Sequence, residues 1–322
     1  MNPEVHIKLT WKEKVASEPG NDYHGTAKKV KQYQWNPVWI IFLLFIVTLP
    51  VACLPHKKMT VVAAASLLED IAKSSYKQSD LRVIREGMPA YLLLMDGMVE
   101  AWPTNERLLI GAAQGYASYA TAFVEDSDKK YASVLYAKAR DYALRSLVER
   151  GFKKPREKLF DEFEEDLNDL GQKDVPYLFW SAASWGNWIG LNLNSMEAVA
   201  ELPRVELMMK RVLELDEGFY YGGPHLFMGI WYASRPKIAG GNLDVARDHF
   251  KKAIDLGQGK FLMADIYFAQ YYARRAFDED LFKSILQKVL DTPTDILPEL
   301  TLLNTVAHQK AKKMLDNLDE YF

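Results

Sequence analysis

From Met59 onward, apolar residues recur every three or four positions, and polar residues fill the gaps. That is the period of helices with one buried face. Alternating Val/Ile/Thr runs bounded by turns, the mark of strands, are missing. The clearest helix covers 242–256. Leu243, Ala246, Phe250, Ala253 and Ile254 share one side, while Asp244, Arg247, Asp248, Lys251 and Lys252 take the other. Gly240 and Gly241 precede it, Asn242 can cap it, and Gly257 follows it. The same reasoning predicts helices over 107–123, 131–149, 177–191, 203–215, 225–234, 261–276, 280–290 and 298–318.

These helices fall into pairs. In the 242–256 helix, Ala246, Phe250 and Ala253 match the second helix of a tetratricopeptide repeat (TPR). Small residues let two helices approach, and the aromatic ring fills the groove beside them. Leu109, Ala112, Ala113 and Tyr116 occupy the corresponding first-helix slots, and Ala139, Ala143 and Ser146 those of its partner. The expected fold is all-α, a right-handed superhelical array of degenerate TPR-like helix pairs. Only the pair 225–234 and 242–256 comes close to the consensus.

The amino-terminal stretch breaks this pattern. Residues 37–52, PVWIIFLLFIVTLPVA, are sixteen uncharged positions behind Lys28, Lys29 and Lys31. That is short of the ~20 apolar residues of a bilayer-spanning helix. A basic flank, an apolar run and small residues before a cleavage point describe a secretory signal. The chain's one cysteine, Cys53, follows at once. Leu49-Pro50-Val51-Ala52-Cys53 resembles a bacterial lipobox, with Pro50 where Leu is usual. The expected division is a signal or anchor over 1–52, a lipid-anchored linker over 53–58 and a TPR-like helical domain over 59–322. The alternative is an uncleaved anchor with Cys53 as a buried thiol. Both place the domain outside the cytoplasm.

Composition narrows the chemistry. The 322 residues hold 40 Lys and Arg against 43 Asp and Glu, so nucleic acid is not an expected partner. A single cysteine excludes an internal disulfide and a thiolate zinc site. The six histidines lack ligand spacing, and no metal or cofactor is expected. Gly257-Gln258-Gly259-Lys260 joins two helices and lacks the Ser or Thr of a P-loop. Asp126-Ser127-Asp128 lacks the Gly and closing Glu of a calcium loop, since Tyr131 and Ala137 stand there. Residues 157–174 carry eight acidic side chains, read as a solvated face rather than a metal site. No catalytic constellation emerges, so no enzyme is expected. The 177–191 helix carries Trp180, Trp185 and Trp188 and no charge, which makes it the hub of the array or the wall of an apolar cavity.

Four strings together carry a family likeness. They are 85–124 (REGMPAYLLLMDGMVEAWPTNERLLIGAAQGYASYATAFV), 174–191 (DVPYLFWSAASWGNWIGL), 202–236 (LPRVELMMKRVLELDEGFYYGGPHLFMGIWYASRP) and 240–262 (GGNLDVARDHFKKAIDLGQGKFL). The chain resembles the T-component (TatT) family of tripartite ATP-independent periplasmic (TRAP) transporters. The resemblance implies a periplasmic lipoprotein, anchored through Cys53 to a membrane, the outer more than the inner. It also implies a TRAP solute-binding protein as partner, a homotrimer, and a cavity for a small hydrophobic molecule. Candidate cavity residues are Tyr116, Tyr119, Trp180, Trp185, Asn187, Trp188, Tyr220, Tyr221, His225 and Tyr232. Core packing is the competing role for each of them. A generic TPR adaptor of envelope assembly is the other function considered. The first helices are aromatic and small, not rich in Lys, Arg and Asn, which disfavours a peptide-carboxylate groove.

Overall fold

The structure, a computed structural model, describes residues 56–322. Cys53 and the apolar run before it lie outside the described residues. Among those described there are helices and no strands. The long helices are α1 (His56–Tyr76), α2 (Leu81–Ala101), α3 (Glu106–Tyr119) and α4 (Lys129–Glu149). The short α5 (Phe160–Asn168) precedes α6 (Val175–Gly190), and the short α7 (Met196–Ala200) precedes α8 (Leu202–Asp216). Then come α9 (Phe219–Ser234), α10 (Leu243–Leu256), α11 (Leu262–Tyr267), α12 (Glu279–Asp291) and α13 (Thr301–Asp316).

Local chemistry sets these boundaries. The carboxylates and amides of Asp80, Asn105, Asp128, Asn242 and Asp278 accept the first free N–H groups of α2, α3, α4, α10 and α12. Asp126 and Asp128, which superficially suggest a calcium loop, are an ion-pair partner of Lys310 and a helix cap. The turn at 257–260 takes Gln258 and Gly259 to positive φ, as a link between helices requires. Two helices end in a π-turn, at Ala120–Val124 after α3 and at Phe268–Ala273 after α11. In the acidic segment, α5 buries Phe163 and Leu167 and turns its carboxylates outward.

Each long helix packs mainly on those next in sequence: α3 on α4, α4 on α6, α6 on α8, and α9 on α10. The last helix, α13, also reaches back to α1 and α2, so the two ends of the described chain meet. The apolar α6 is a hub touching α3, α4, α8 and α9. It buries Leu178, Ala182, Trp185 and Ile189 completely. Polar staples fix the joints. Buried Asn304 accepts from the Leu262 amide at 3.1 Å and donates to the Lys260 and Thr294 carbonyls. Arg150 bridges Asp174 at 2.5 Å and Glu106 at 3.0 Å, tying α4 to the starts of α3 and α6.

Candidate ligand cavity

Where α1, α2 and α3 meet the start of α13, a cavity of about 760 Å³ opens. That lies within the range of small-molecule sites. Leu68, Ile84, Met88, Met95, Leu108 and Leu302 make its apolar wall. It is lined from Val62 to Tyr76 on α1 and from Arg107 to Phe123 along α3 and its π-turn. At ~1.5 Å rise per residue it is therefore about 20 Å long.

Two glycines set its shape. A Cβ at Gly111 would stand 3.2 Å from Met95 Cε, and one at Gly115 would stand 3.0 Å from Leu92 Cδ2. Without those side chains α2 lies close on α3, and the space opens toward α1. Polar groups are few. Burial raises the Tyr76 phenol, although a hydrogen bond with the Ser118 hydroxyl acts against it. Burial, with Tyr76 and Glu69 nearby, pushes Tyr91 up to about 12. Both phenols stay neutral near pH 7, where they serve as uncharged hydrogen-bonding groups. Glu69, Lys73 and Arg107 bring charge to the lining, and all three side chains are exposed.

The residues named from sequence divide into three places. Tyr119 lines the cavity. Its neighbour Tyr116 points into the joint of α2, α3 and α4. There its hydroxyl donates to Asp96 Oδ2 at 2.7 Å and accepts from Lys138 Nζ at 2.8 Å. Lys138 and Tyr142 reach the same carboxylate at 2.5 and 2.7 Å. On the hub helix, Trp185 is buried and donates its Nε1 proton to Glu201 Oε2 at 2.7 Å. Trp188 lies under the Arg140 guanidinium at 4.3 Å. Asn187 is exposed, so its amide needs no protein partner. Trp180 packs edge-on against Tyr220 at 5.1 Å.

The third group is on α9. Tyr220 also meets Phe179, Phe219, Tyr221 and Phe261, and Tyr221 packs on Phe261. His225 meets His249 and Glu217, and Tyr232 stacks on His249. These side chains fill the joints around α6 and α10. About half of the cavity lining comes from α1 and α2, for which the sequence predicted no helices, and most of the rest from α3 and its flanks, which it did predict. A signal was present: Leu92, Met95 and Val99 repeat at helical spacing behind Asp80 and Pro89.

An elongated apolar chamber with a few hydrogen-bonding groups suits binding, and no group of three His, Cys, Asp or Glu residues that could hold a metal ion occurs among the described residues. Comparison with curated proteins finds none that matches the chain. The pattern defining the TRAP transporter T-component family matches residues 77–322, which take in α2 and α3 of the cavity wall and every later helix. That family is transport-associated and non-catalytic. With more than two thirds of its length matched, the chain belongs to the TRAP transporter T-component family.

Proposed function

We propose that this T-component is a periplasmic lipoprotein that docks a TRAP solute-binding protein and holds a small hydrophobic ligand in the α1–α3 cavity. The observation that carries the ligand is the chamber itself: apolar walls, about 20 Å of length by helix rise, and neutral phenols at Tyr76 and Tyr91. A single-chain molecule with one hydrogen-bonding group suits that shape. Its polar end would meet Tyr76 and Ser118 or the Arg107 end, and its tail would lie along Leu68, Met88 and Met95. Tyr119 is the sequence-named candidate best placed to touch it.

In this reading Cys53 carries the lipid, residues 1–52 are the signal or anchor, and the few residues after Cys53 lead into α1, which begins at His56. The helix pairs form a TPR-like superhelix, and the working unit is a homotrimer at the outer membrane. Nearest-neighbour packing of successive helices supports the repeat reading. Among the described residues no helix is long and apolar enough to cross a membrane.

Two experiments test the proposal. Calorimetry of the detergent-solubilised full chain with the solute-binding protein encoded beside it should give saturable binding, and no heat at tens of micromolar would refute docking. Solvent extraction of the purified chain followed by mass spectrometry should release an apolar small molecule. An empty chain that also binds no apolar probe would refute the ligand role.

A further inference from the structure

The start of α9 is backbone-strained. Tyr220, Tyr221 and Gly222 have φ of 48°, 58° and 78°, three successive left-handed residues inside a helical segment. Such a turn persists only where its surroundings hold it. One hold is steric: a Cβ on Gly222 would stand 2.9 Å from Ala253 Cα and O, so the turn lies directly on α10. The other is a polar bridge across the turn. Glu217 before it and His225 after it meet at 3.2 Å, through Oε2 and Nε2. Both are tied to α10, His225 by an Nδ1–Nδ1 contact of 2.9 Å with His249, and Glu217 by an ion pair of 3.3 Å with Lys252.

The protons in this bridge are constrained. Glu217 is held below the ordinary carboxylate range by His225 and Lys252, so it stays ionised and accepts from His225 Nε2–H. That leaves His225 Nδ1 as a lone-pair acceptor, and His249 must donate its Nδ1 proton to it. One extra proton fits on the pair with the ring-to-ring bond intact, because a single proton then still lies between the two Nδ1 atoms. A second puts a proton on both Nδ1 atoms, and two N–H groups then face each other across 2.9 Å.

We propose that His225 and His249 form a proton-operated clasp, which holds the left-handed turn while the pair carries at most one extra proton and releases it when both rings are charged. The clasp is distinct from the cavity and does not depend on what the cavity holds.

The other groups facing the pair do not replace it. On α10, Asp248 favours a charged His249 but is engaged by Arg247 at 3.2 Å, and Lys252 adds positive charge. On α9 the Tyr232 ring stacks on His249 at 5.7 Å. From α8, Glu206 faces Lys210 and Arg235 and is paired with both. Burial first, and then His225, lower the His249 value. A lowered histidine stabilises the fold above the unfolded value near 6.5, and this contribution is lost as pH falls through the folded value.

Hydrogen exchange read by mass spectrometry on the full chain in detergent tests the clasp. After correction for intrinsic rates, peptides covering 217–225 should exchange about tenfold faster at pH 5 than at pH 7.5. That step should vanish in His249→Phe, which keeps a ring against Tyr232 and takes no proton. Equal protection at both pH values in the unmodified chain would overturn the proposal, as would a step that persists in the variant. Should His249→Phe not fold, histidine-labelled NMR of the unmodified chain decides. Two coupled titrations, one clearly later than the other, support the clasp. Two independent titrations at the ordinary imidazole value refute it.

Discussion

Replacing Asp96 by Asn is the sharpest probe of how the cavity wall is held. The Asp96 carboxylate accepts from Tyr116 of α3 and from Lys138 and Tyr142 of α4, so one side chain of α2 ties three helices. Asparagine keeps one acceptor oxygen and turns an N–H₂ toward groups that are themselves donors. Lys138 and Asp96 are 42 % and 23 % exposed, so their ion pair is partly screened and contributes about 0.5–1 kcal/mol. The two phenol bonds fall from charge-assisted strength, about 1.5–3 kcal/mol each, toward about 1 kcal/mol. The expected loss is about 2–3 kcal/mol. It would be read from the urea midpoint of the full chain in detergent at pH 7.5, with the m-value unchanged. The loss also has a pH signature. Burial acts to raise the Asp96 value, but hydrogen bonds from Lys138, Tyr142 and Tyr116 outweigh it and the value lies below normal. A lowered carboxylate stabilises the fold fully above the unfolded value near 3.9. The gap between wild type and Asp96→Asn should therefore close as pH falls through the lower folded value. A loss under about 0.5 kcal/mol, or one that stays constant from pH 7 to the acid limit of the fold, would refute the three-helix tie.

Other perturbations separate the remaining parts of the account. Gly222→Ala sets a Cβ 2.9 Å from the Ala253 backbone at φ 78° and should cost about 2–4 kcal/mol in the same unfolding assay, while Gly240→Ala, also at positive φ but in open space, should cost nearer 1 kcal/mol. Trp185→Phe removes the proton given to Glu201 Oε2 and leaves a small void. A loss of about 2 kcal/mol is expected by thermal or urea unfolding, and a neutral result would show that the indole N–H contributes nothing. Ala72→Trp places an indole in the α1–α3 cavity, and circular dichroism should show the fold intact while apolar probe binding falls at least tenfold.

Where a helix carried its own signals, the sequence located it closely. Asn242 was read as a cap, and its side chain accepts from the Asp244 and Val245 amides at 3.0 and 3.2 Å. The 131–149, 203–215 and 280–290 helices were expected within about two residues of α4, α8 and α12, because amphipathic period and end signals agree there. Helix α9 was expected only from His225, since Gly222-Gly223-Pro224 reads as a turn. Regular helical backbone does begin only after Gly222; the left-handed conformation of Tyr220, Tyr221 and Gly222, packed onto α10, is a tertiary effect with no local signature. The π-turns after α3 and α11 escaped notice for the same reason: they insert a residue without changing composition. For the site, aromatic richness pointed to α6 and α9, where the rings pack the joints. The cavity wall is mostly Met, Leu, Ile, Ala, Gly and Ser, with Tyr76, Tyr91, Trp102, Tyr119 and Phe123 spaced among them, and such residues read as ordinary core until the helices are placed. Tyr119 was found because it shares a helix with the small-residue slots that let α3 and α4 approach.

Whether the α1–α3 cavity holds an apolar molecule is decided by titrating a fluorescent single-chain probe into the full chain and into Ala72→Trp. Saturable one-to-one binding by the unmodified chain is expected, at least tenfold weaker in the variant, with the same helical content in both. Absent binding in a chain shown by extraction to be empty, or equal binding in the two proteins, would contradict the ligand role.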